Sequence, residues 1–152
     1  SKKNGKIIKG MKEGAWLEYW DDGKISSVTN YKNGQYDGEY LSYYQNGDYN
    51  QAIKGFSELV LEDPSNKLAD NSQYWLAECY YSTKNYKRAT LEFEKVFTFP
   101  GTNKADDSQF KLGLCYLNIE QLDKARQEFE SLLEFYPNSE YYKKTEQYLQ
   151  QY

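Results

Sequence analysis

Three segments of this chain repeat one apolar pattern at a nearly constant spacing, and that period restricts the folds open to it. They are Gly47-Asp48-Tyr49-x-x-Ala52-x-x-x-Phe56-x-x-Leu59 before Pro64, Lys84-Asn85-Tyr86-x-x-Ala89-x-x-x-Phe93-x-x-Val96 before Pro100, and Glu120-Gln121-Leu122-x-x-Ala125-x-x-x-Phe129-x-x-Leu132 before Pro137. The alanines lie 37 and 36 residues apart, a period that signals a solenoid of stacked units. A small Ala lets two helices approach closely, and Phe one turn later fills the gap between hairpins. Each Pro ends its helix, because it lacks an amide hydrogen and restricts the residue before it.

Matching first helices precede the second and third copies. Gln73-Tyr74-Trp75-Leu76-Ala77-Glu78-Cys79-Tyr80-Tyr81 aligns with Gln109-Phe110-Lys111-Leu112-Gly113-Leu114-Cys115-Tyr116-Leu117. Ala77 and Gly113 share a small-residue slot, and Cys79 and Cys115 share another. Two such cysteines read as small buried hydrophobes. Equivalent points on stacked helices lie about 8–10 Å apart, beyond the roughly 7 Å between Cα atoms that a disulfide tolerates. After Pro137, Asn138-Ser139-Glu140 opens a last helix with Ser139 as cap. Tyr148, Leu149 and Tyr152 continue the register of Trp75, Leu76 and Cys79, while Lys143, Lys144, Glu146, Gln150 and Gln151 make a solvated face for an open solenoid end.

These copies resemble the tetratricopeptide repeat over about a hundred residues. The resemblance implies a mainly α protein, a right-handed superhelix of antiparallel helix hairpins. The repeats fall at about 38–64, 70–100 and 106–137, with a capping helix at 139–151. Insertions around Leu68-Ala69-Asp70 and Lys104-Ala105-Asp106, with the run from Ala69 to Tyr81 and Lys111-Leu112-Gly113, are similar to the C-terminal domain of the CpoB (YbgF) family. That family and its lipoprotein relatives serve the Tol-Pal system and outer-membrane assembly, so the resemblance implies a bacterial periplasmic or envelope location, with the cytoplasm as the alternative. This chain departs from the family at its N-terminus, where the family has a coiled coil.

The N-terminal third carries a different repeat. Gly14-Ala15-Trp16-Leu17-Glu18-Tyr19-Trp20-Asp21-Asp22-Gly23-Lys24 lines up with residues 38–48 at an offset of 24. Asp22-Gly23 supplies the left-handed backbone of a hairpin turn, and its flanks alternate. Ser, Val and Thr in 25–31 favour strand. A β-hairpin of roughly 15–20 and 24–31 is predicted, with a short strand near Lys6–Lys9. Gly14, Trp16, Tyr19, Asp22-Gly23-Lys24, Tyr31, Gly34, Gly38, Tyr40, Tyr43 and Asn46-Gly47 resemble the bacterial MORN signature, which implies a small scaffold segment over residues 1–37 fused to the helical domain at 38–152.

Residues 38–48 belong to both patterns. As a helix they place Tyr40, Tyr43 and Tyr44 on one face with Asp37 as cap, and burying those rings against Ala52 and Phe56 contributes several kcal/mol at about 25 cal/mol per Å². A helix from about Gly38 to Asn46 is therefore expected, with Trp16, Tyr19 and Trp20 covering the first end of the superhelix.

Composition excludes several functions. The chain has no histidine, which removes Ser-His-Asp and Cys-His nucleophile systems and most zinc sites. Residues 1–47 carry seven Lys against six Asp/Glu, a net +1, leaving −5 for 48–152. Neither part has the basic excess of a nucleic-acid or anionic-lipid binder. No apolar run reaches membrane-spanning length and no signal peptide is visible. Asp70, Asp106-Asp107 and Glu128 with Glu130 read as helix-start and exposed-face carboxylates, with no catalytic, metal or cofactor role.

The chain has 17 tyrosines, and these point to recognition. In the resembled family the first helices line a concave groove. By register, Leu41, Tyr44 and Gln45 line it from the first copy, and Asn71, Tyr74, Glu78, Tyr81 and Ser82 from the second. The third supplies Asp107, Phe110, Leu114, Leu117 and Asn118. Rigid rings suit an extended or helical peptide. Repeats that clamp the C-terminal carboxylate of chaperone tails place Lys and Asn on these faces; the slots here hold Tyr74 with Glu78 and Phe110 with Leu114, so that clamp is not expected. The expectation is a non-enzymatic interaction module binding a peptide or protein segment. A homo-oligomer built through the tyrosine-rich surface and the N-terminal hairpin is the alternative.

Overall fold

The computed structural model describes residues 2–8, 11–19, 25–32, 35–36, 38–62, 64 and 69–152, with side chains from Tyr40 onward. The chain forms two compact units, Ser1–Gly55 and Phe56–Tyr152, divided within one helix and not at the expected 37/38 junction.

The first unit begins with strands β1 (Lys2–Ile8), β2 (Met11–Tyr19), β3 (Ile25–Lys32) and β4 (Gln35–Tyr36). They form an antiparallel meander in chain order. Trp16 pairs with Thr29 and Leu17 with Val28, the pairing expected of a β2–β3 hairpin, and Lys2 pairs with Tyr19. The sheet is larger than the predicted hairpin, because β1 runs from Lys2 and β4 adds a short edge. The Asp22-Gly23 turn, the Asp37 cap and the side chains of Trp16, Tyr19 and Trp20 lie outside the described residues.

The second copy of the aromatic turn-repeat does not form a strand. It is helix α1 (Gly38–Gln45), beside β3 and followed by α2 (Tyr49–Glu62). Tyr44 meets Tyr49 edge-on at 5.6 Å between ring centroids. Gly55 lies so close beneath Tyr40 that a methyl there would collide with the ring.

The second unit contains α3 (Ala69–Ser82), α4 (Tyr86–Val96), α5 (Ala105–Asn118), α6 (Leu122–Phe135) and α7 (Tyr142–Gln151). α3 packs on α4 and α5 on α6 as hairpins, α4 joins them to α5, and α7 covers α6. The repeated residues are the core: Ala77, Ala89, Phe93, Val96, Cys115, Ala125, Phe129 and Leu132 are all at most 1% exposed. Each buried Phe contributes about 1.5–3 kcal/mol by leaving water. Cys79 and Cys115 are buried free thiols, and burial pushes both up to about 12.

The hairpin turns are equally periodic. Gly47, Lys84 and Glu120 have positive φ of 80°, 61° and 60°. The amide after each one bonds back five residues, Asp48 to Tyr43, Asn85 to Tyr80 and Gln121 to Tyr116. This left-handed closure satisfies the last carbonyls of the first helix. Gly47 adopts it freely, while Lys84 and Glu120 carry a Cβ cost.

Polar clips tie one repeat to the next. Thr102 Oγ1 donates to Asp70 Oδ2 at 2.8 Å, and Ser139 Oγ donates to Asp106 Oδ2 at 2.6 Å. Ser139 is thereby held in a turn, and α7 starts at Tyr142, two residues later than a Ser139 cap implies.

Candidate functional site

Once the hairpin cores are filled, one stripe on each of α3, α5 and α7 stays accessible. Helical periodicity puts Asn71, Trp75, Glu78 and Ser82 on one line of α3, and Asp107, Lys111, Leu114 and Asn118 on the matching line of α5. On α7 the corresponding residues are Lys144, Tyr148 and Gln151. All are partly or fully exposed except Glu78.

Contacts between these helices define the surface. Lys111 Nζ on α5 lies 3.0 Å from Glu78 Oε1 on α3 and 4.3 Å above the Tyr81 ring. The pair is largely shielded, with side-chain exposures of 20% for Lys111 and 8% for Glu78. Tyr81 also meets Tyr86 edge-on at 5.3 Å. Burial, with smaller repulsion from nearby groups, pushes the Tyr81 phenol up to about 12, so it stays a neutral donor at physiological pH.

The same motif recurs on either side. Lys104 Nζ sits 5.0 Å over the Tyr74 ring, and Lys144 Nζ sits 5.6 Å over the Phe110 ring. An ammonium over an aromatic face is held by the ring quadrupole while its N–H donors remain free for water or a ligand. Asp107, between Lys104 and Lys111 on the α5 stripe, accepts from the Tyr141 hydroxyl at 2.9 Å. Burial raises its pKa; the Tyr141 bond and the Lys104 charge oppose that rise.

The structure divides the residues expected in the groove. Asn71, Tyr81, Ser82, Asp107, Leu114 and Leu117 are half-exposed on this face, and Asn118 is exposed, its amide donating to its own helix at Leu114 O, 2.8 Å away. Tyr74, Glu78 and Phe110 are buried, at 6%, 6% and 3% exposure, which corrects their placement in an open groove. Tyr74 leans on Phe93 at 5.7 Å. Phe110 stacks on Tyr141 at 4.6 Å and meets Phe129 at 6.0 Å. These rings join the core, while Trp75 and Lys111, one position further along each helix, are only partly buried. Leu41 and Tyr44 are half-buried and Gln45 is exposed, all within the first unit.

Sequence reasoning missed Trp75, Lys104, Lys111 and Lys144. Trp75 and Lys111 sit 36 residues apart, one full period, so the repeat itself carried the signal. Among the described residues no group of three or more His, Cys, Asp or Glu side chains is arranged to hold a metal ion.

Residues 29–152 match the model of the YfiO family, described as an outer membrane lipoprotein. The chain belongs to the YfiO outer membrane lipoprotein family. The match begins within β3 and so leaves β1 and β2 outside it. No curated protein matches the chain. Among solved structures, the type III secretion translocator chaperone SycD of Yersinia enterocolitica is similar at 20% identity and a TM-score of 0.63, covering 76% of this chain and 83% of that one. The Arabidopsis OM64 TPR domain is similar at 15% identity and a TM-score of 0.62, with 74% and 88% covered. The second TPR domain of human RPAP3, solved with the HSP70 peptide SGPTIEEVD, is similar at 18% identity and a TM-score of 0.60, with the same coverage. At these identities the likeness establishes the fold, a helical repeat of the tetratricopeptide type.

Proposed function

We propose that this protein is a non-enzymatic interaction module of the bacterial cell envelope that binds a segment of another protein across the α3–α5–α7 face. One observation carries the reading: Trp75, Tyr81, Leu114 and Leu117 stay half-exposed on one face of a unit whose hairpin cores are otherwise filled. Apolar surface of this kind, bordered by polar groups, marks interaction sites. The family description supports the envelope location, and the CpoB-like insertions point the same way. Among the described residues no helix is long and apolar enough to cross a membrane. The human RPAP3 domain, solved in complex with an HSP70 peptide, is an instance of the same fold with a peptide bound. In this reading the hairpins at 38–64, 70–100 and 106–137 are three repeats, and the MORN-like sheet is a scaffold element.

A photo-crosslinking residue placed in turn at Tyr81, Leu117, Leu91 and Glu130 tests the assignment in bacterial envelopes. Tyr81 and Leu117 should give adducts with another protein, and Leu91 and Glu130, on α4 and α6, should not. Equal yields from all four positions would remove the assignment.

A second reading rests on Phe135, Leu91 and Leu122, which are 64%, 52% and 50% exposed. Side chains of this size suit self-association. Light scattering at two concentrations decides: a mass that rises with concentration supports the oligomer, and a constant monomer mass excludes it.

A further inference from the structure

The α3–α4 and α5–α6 hairpins meet along two seams of opposite electrostatic character. On the α3–α5 side the seam is an ion pair, Glu78 Oε1 with Lys111 Nζ at 3.0 Å, both largely shielded from water. On the other side the buried Tyr116 of α5 donates from its hydroxyl to Glu94 Oε1 of α4 at 3.3 Å. Glu128 of α6 is half-buried and held by the Gln109 amide. Its charge and that of Glu94 both act on the Tyr116 phenol, and Glu94 acts on Glu128 in turn. Two carboxylates from the second helices of successive repeats thus share one buried ring. The preceding repeat supplies the contrast. Glu92, at the position of Glu128, has Arg88 at 2.7 Å and Lys95 at 3.2 Å. One period on, those cations become Lys124 and Ser131. Lys124 sits over the Tyr116 ring at 5.4 Å, and among the described residues it forms no ion pair with Glu128. α7 also packs on α6, through Tyr148 stacked on Phe129, and brings no charge to Glu128. We infer that the two seams set the spacing of the hairpins and make it proton-sensitive: Glu78–Lys111 draws α3 toward α5, while ionised Glu94 and Glu128 hold α4 away from α6. Burial, with Glu94 adding to it, raises the Glu128 pKa, so on acidification Glu128 takes up its proton before an ordinary glutamate does. The repulsion is then absent below the raised value and returns as pH climbs through it. α4 and α6 close in acid, with the α3–α5 seam as the pivot. The device belongs to the hairpin stack and does not depend on what docks on the α3–α5–α7 face.

The test places spin labels on the whole protein through Leu91→Cys and Gln127→Cys, exposed sites one period apart on α4 and α6. Cys79 and Cys115 are buried and stay unlabelled. The label-to-label distance should shorten by about 1–2 Å, the size of helix shifts at packed interfaces, between neutral pH and the ordinary glutamate range at about 4.3. Labels at Ser82→Cys and Asn118→Cys, on the α3–α5 side, should keep their distance over the same range. Adding Glu94→Gln, Glu128→Gln to the first pair should hold the shorter distance at every pH, since the amide oxygens still accept from Tyr116 and Gln109. Added salt should shrink the shift, because Glu94 is exposed. A second readout is the denaturation midpoint at neutral pH. Glu94→Gln should raise it in the unaltered protein and leave it unchanged beside Glu128→Gln, because the repulsion needs both charges. The inference is overturned by an α4–α6 distance that does not change with pH, by an equal closing on the α3–α5 side, or by a pH shift that survives in the double glutamine variant. A gain from Glu94→Gln of the same size with and without Glu128 would overturn it as well.

Discussion

The α3–α4 and α5–α6 hairpins use the same parts to fold and different parts to face outward. In both, Gln from the first helix donates to Glu of the second: Gln73 to Glu92, and Gln109 to Glu128. In both, Phe packs against the small-residue slot, Cys is buried, and an Asp at the helix start accepts a hydroxyl from the following repeat. The accessible stripe differs: Trp75 and Glu78 on α3 become Lys111 and Leu114 on α5. Positions that agree between the hairpins build the repeat. Those that differ build a surface no single repeat contains, since Glu78 finds its counter-ion one repeat further on.

The comparison breaks hardest at a shared position. Phe93→Ala and Phe129→Ala should each cost about 3–5 kcal/mol in chemical denaturation, since both rings are fully buried. Unequal losses would show that the hairpins are not energetically equivalent.

The small-residue slot gives the next effect. Ala77 fits its slot with no exposure, but the Phe129 ring, stacked on Tyr148 at 5.2 Å, lies directly over Gly113. Gly113→Ala should therefore destabilise by about 1–3 kcal/mol through overpacking, despite the better helix propensity of alanine. A stabilised variant would mean that the α7 aromatic stack yields easily.

The turns offer a gain. Glu120 holds a left-handed conformation that Gly47 adopts in the first hairpin. Glu120→Gly should raise stability by up to about 1 kcal/mol through relief of Cβ strain, less the entropy that glycine adds to the unfolded chain.

The smallest effect separates two carboxylates that the repeat treats alike. Glu92 is 1% exposed and has Arg88 at 2.7 Å and Lys95 at 3.2 Å. Among the described residues Glu128 has only the Gln109 amide, and burial raises its pKa, with Glu94 adding to the rise. A carboxyl whose folded pKa lies above its unfolded one favours folding when protonated. That benefit is lost as pH climbs from the unfolded carboxylate range through the raised value. Glu128→Gln should accordingly stabilise the protein at neutral pH by under ~1 kcal/mol, with the gain vanishing in acid. Glu92→Gln should destabilise at neutral pH, because it strips a carboxylate from two cations.

Most of this architecture was legible because the period carried it. Ala, Phe, Pro and the turn residues recur every 36 or 37 positions, so the sequence states helix identity, pairing and turn position more than once. Residues 38–45 were decided by Tyr40, Tyr43 and Tyr44, whose spacing suits a helix better than an edge strand. Which ring of α3 is buried was not legible, because Tyr74 and Trp75 are both large amphipathic rings and either can face inward. Burial of Tyr74 was settled by Phe93 on the neighbouring helix, a contact that local periodicity does not encode. The Lys111–Glu78 pair escaped for the same reason, since its partners are 33 residues apart and lie on different helices. Ser139 looked like a cap because capping residues also make turns; Asp106 takes its hydroxyl instead.

The most direct measurement is the yield of photo-crosslinked adducts with another protein from Tyr81 and Leu117, beside Leu91 and Glu130 as controls on α4 and α6. If the α3–α5–α7 face is the docking surface, Tyr81 and Leu117 should give adducts and the two controls should give none. Equal yields from all four positions, or adducts from the controls alone, would contradict it.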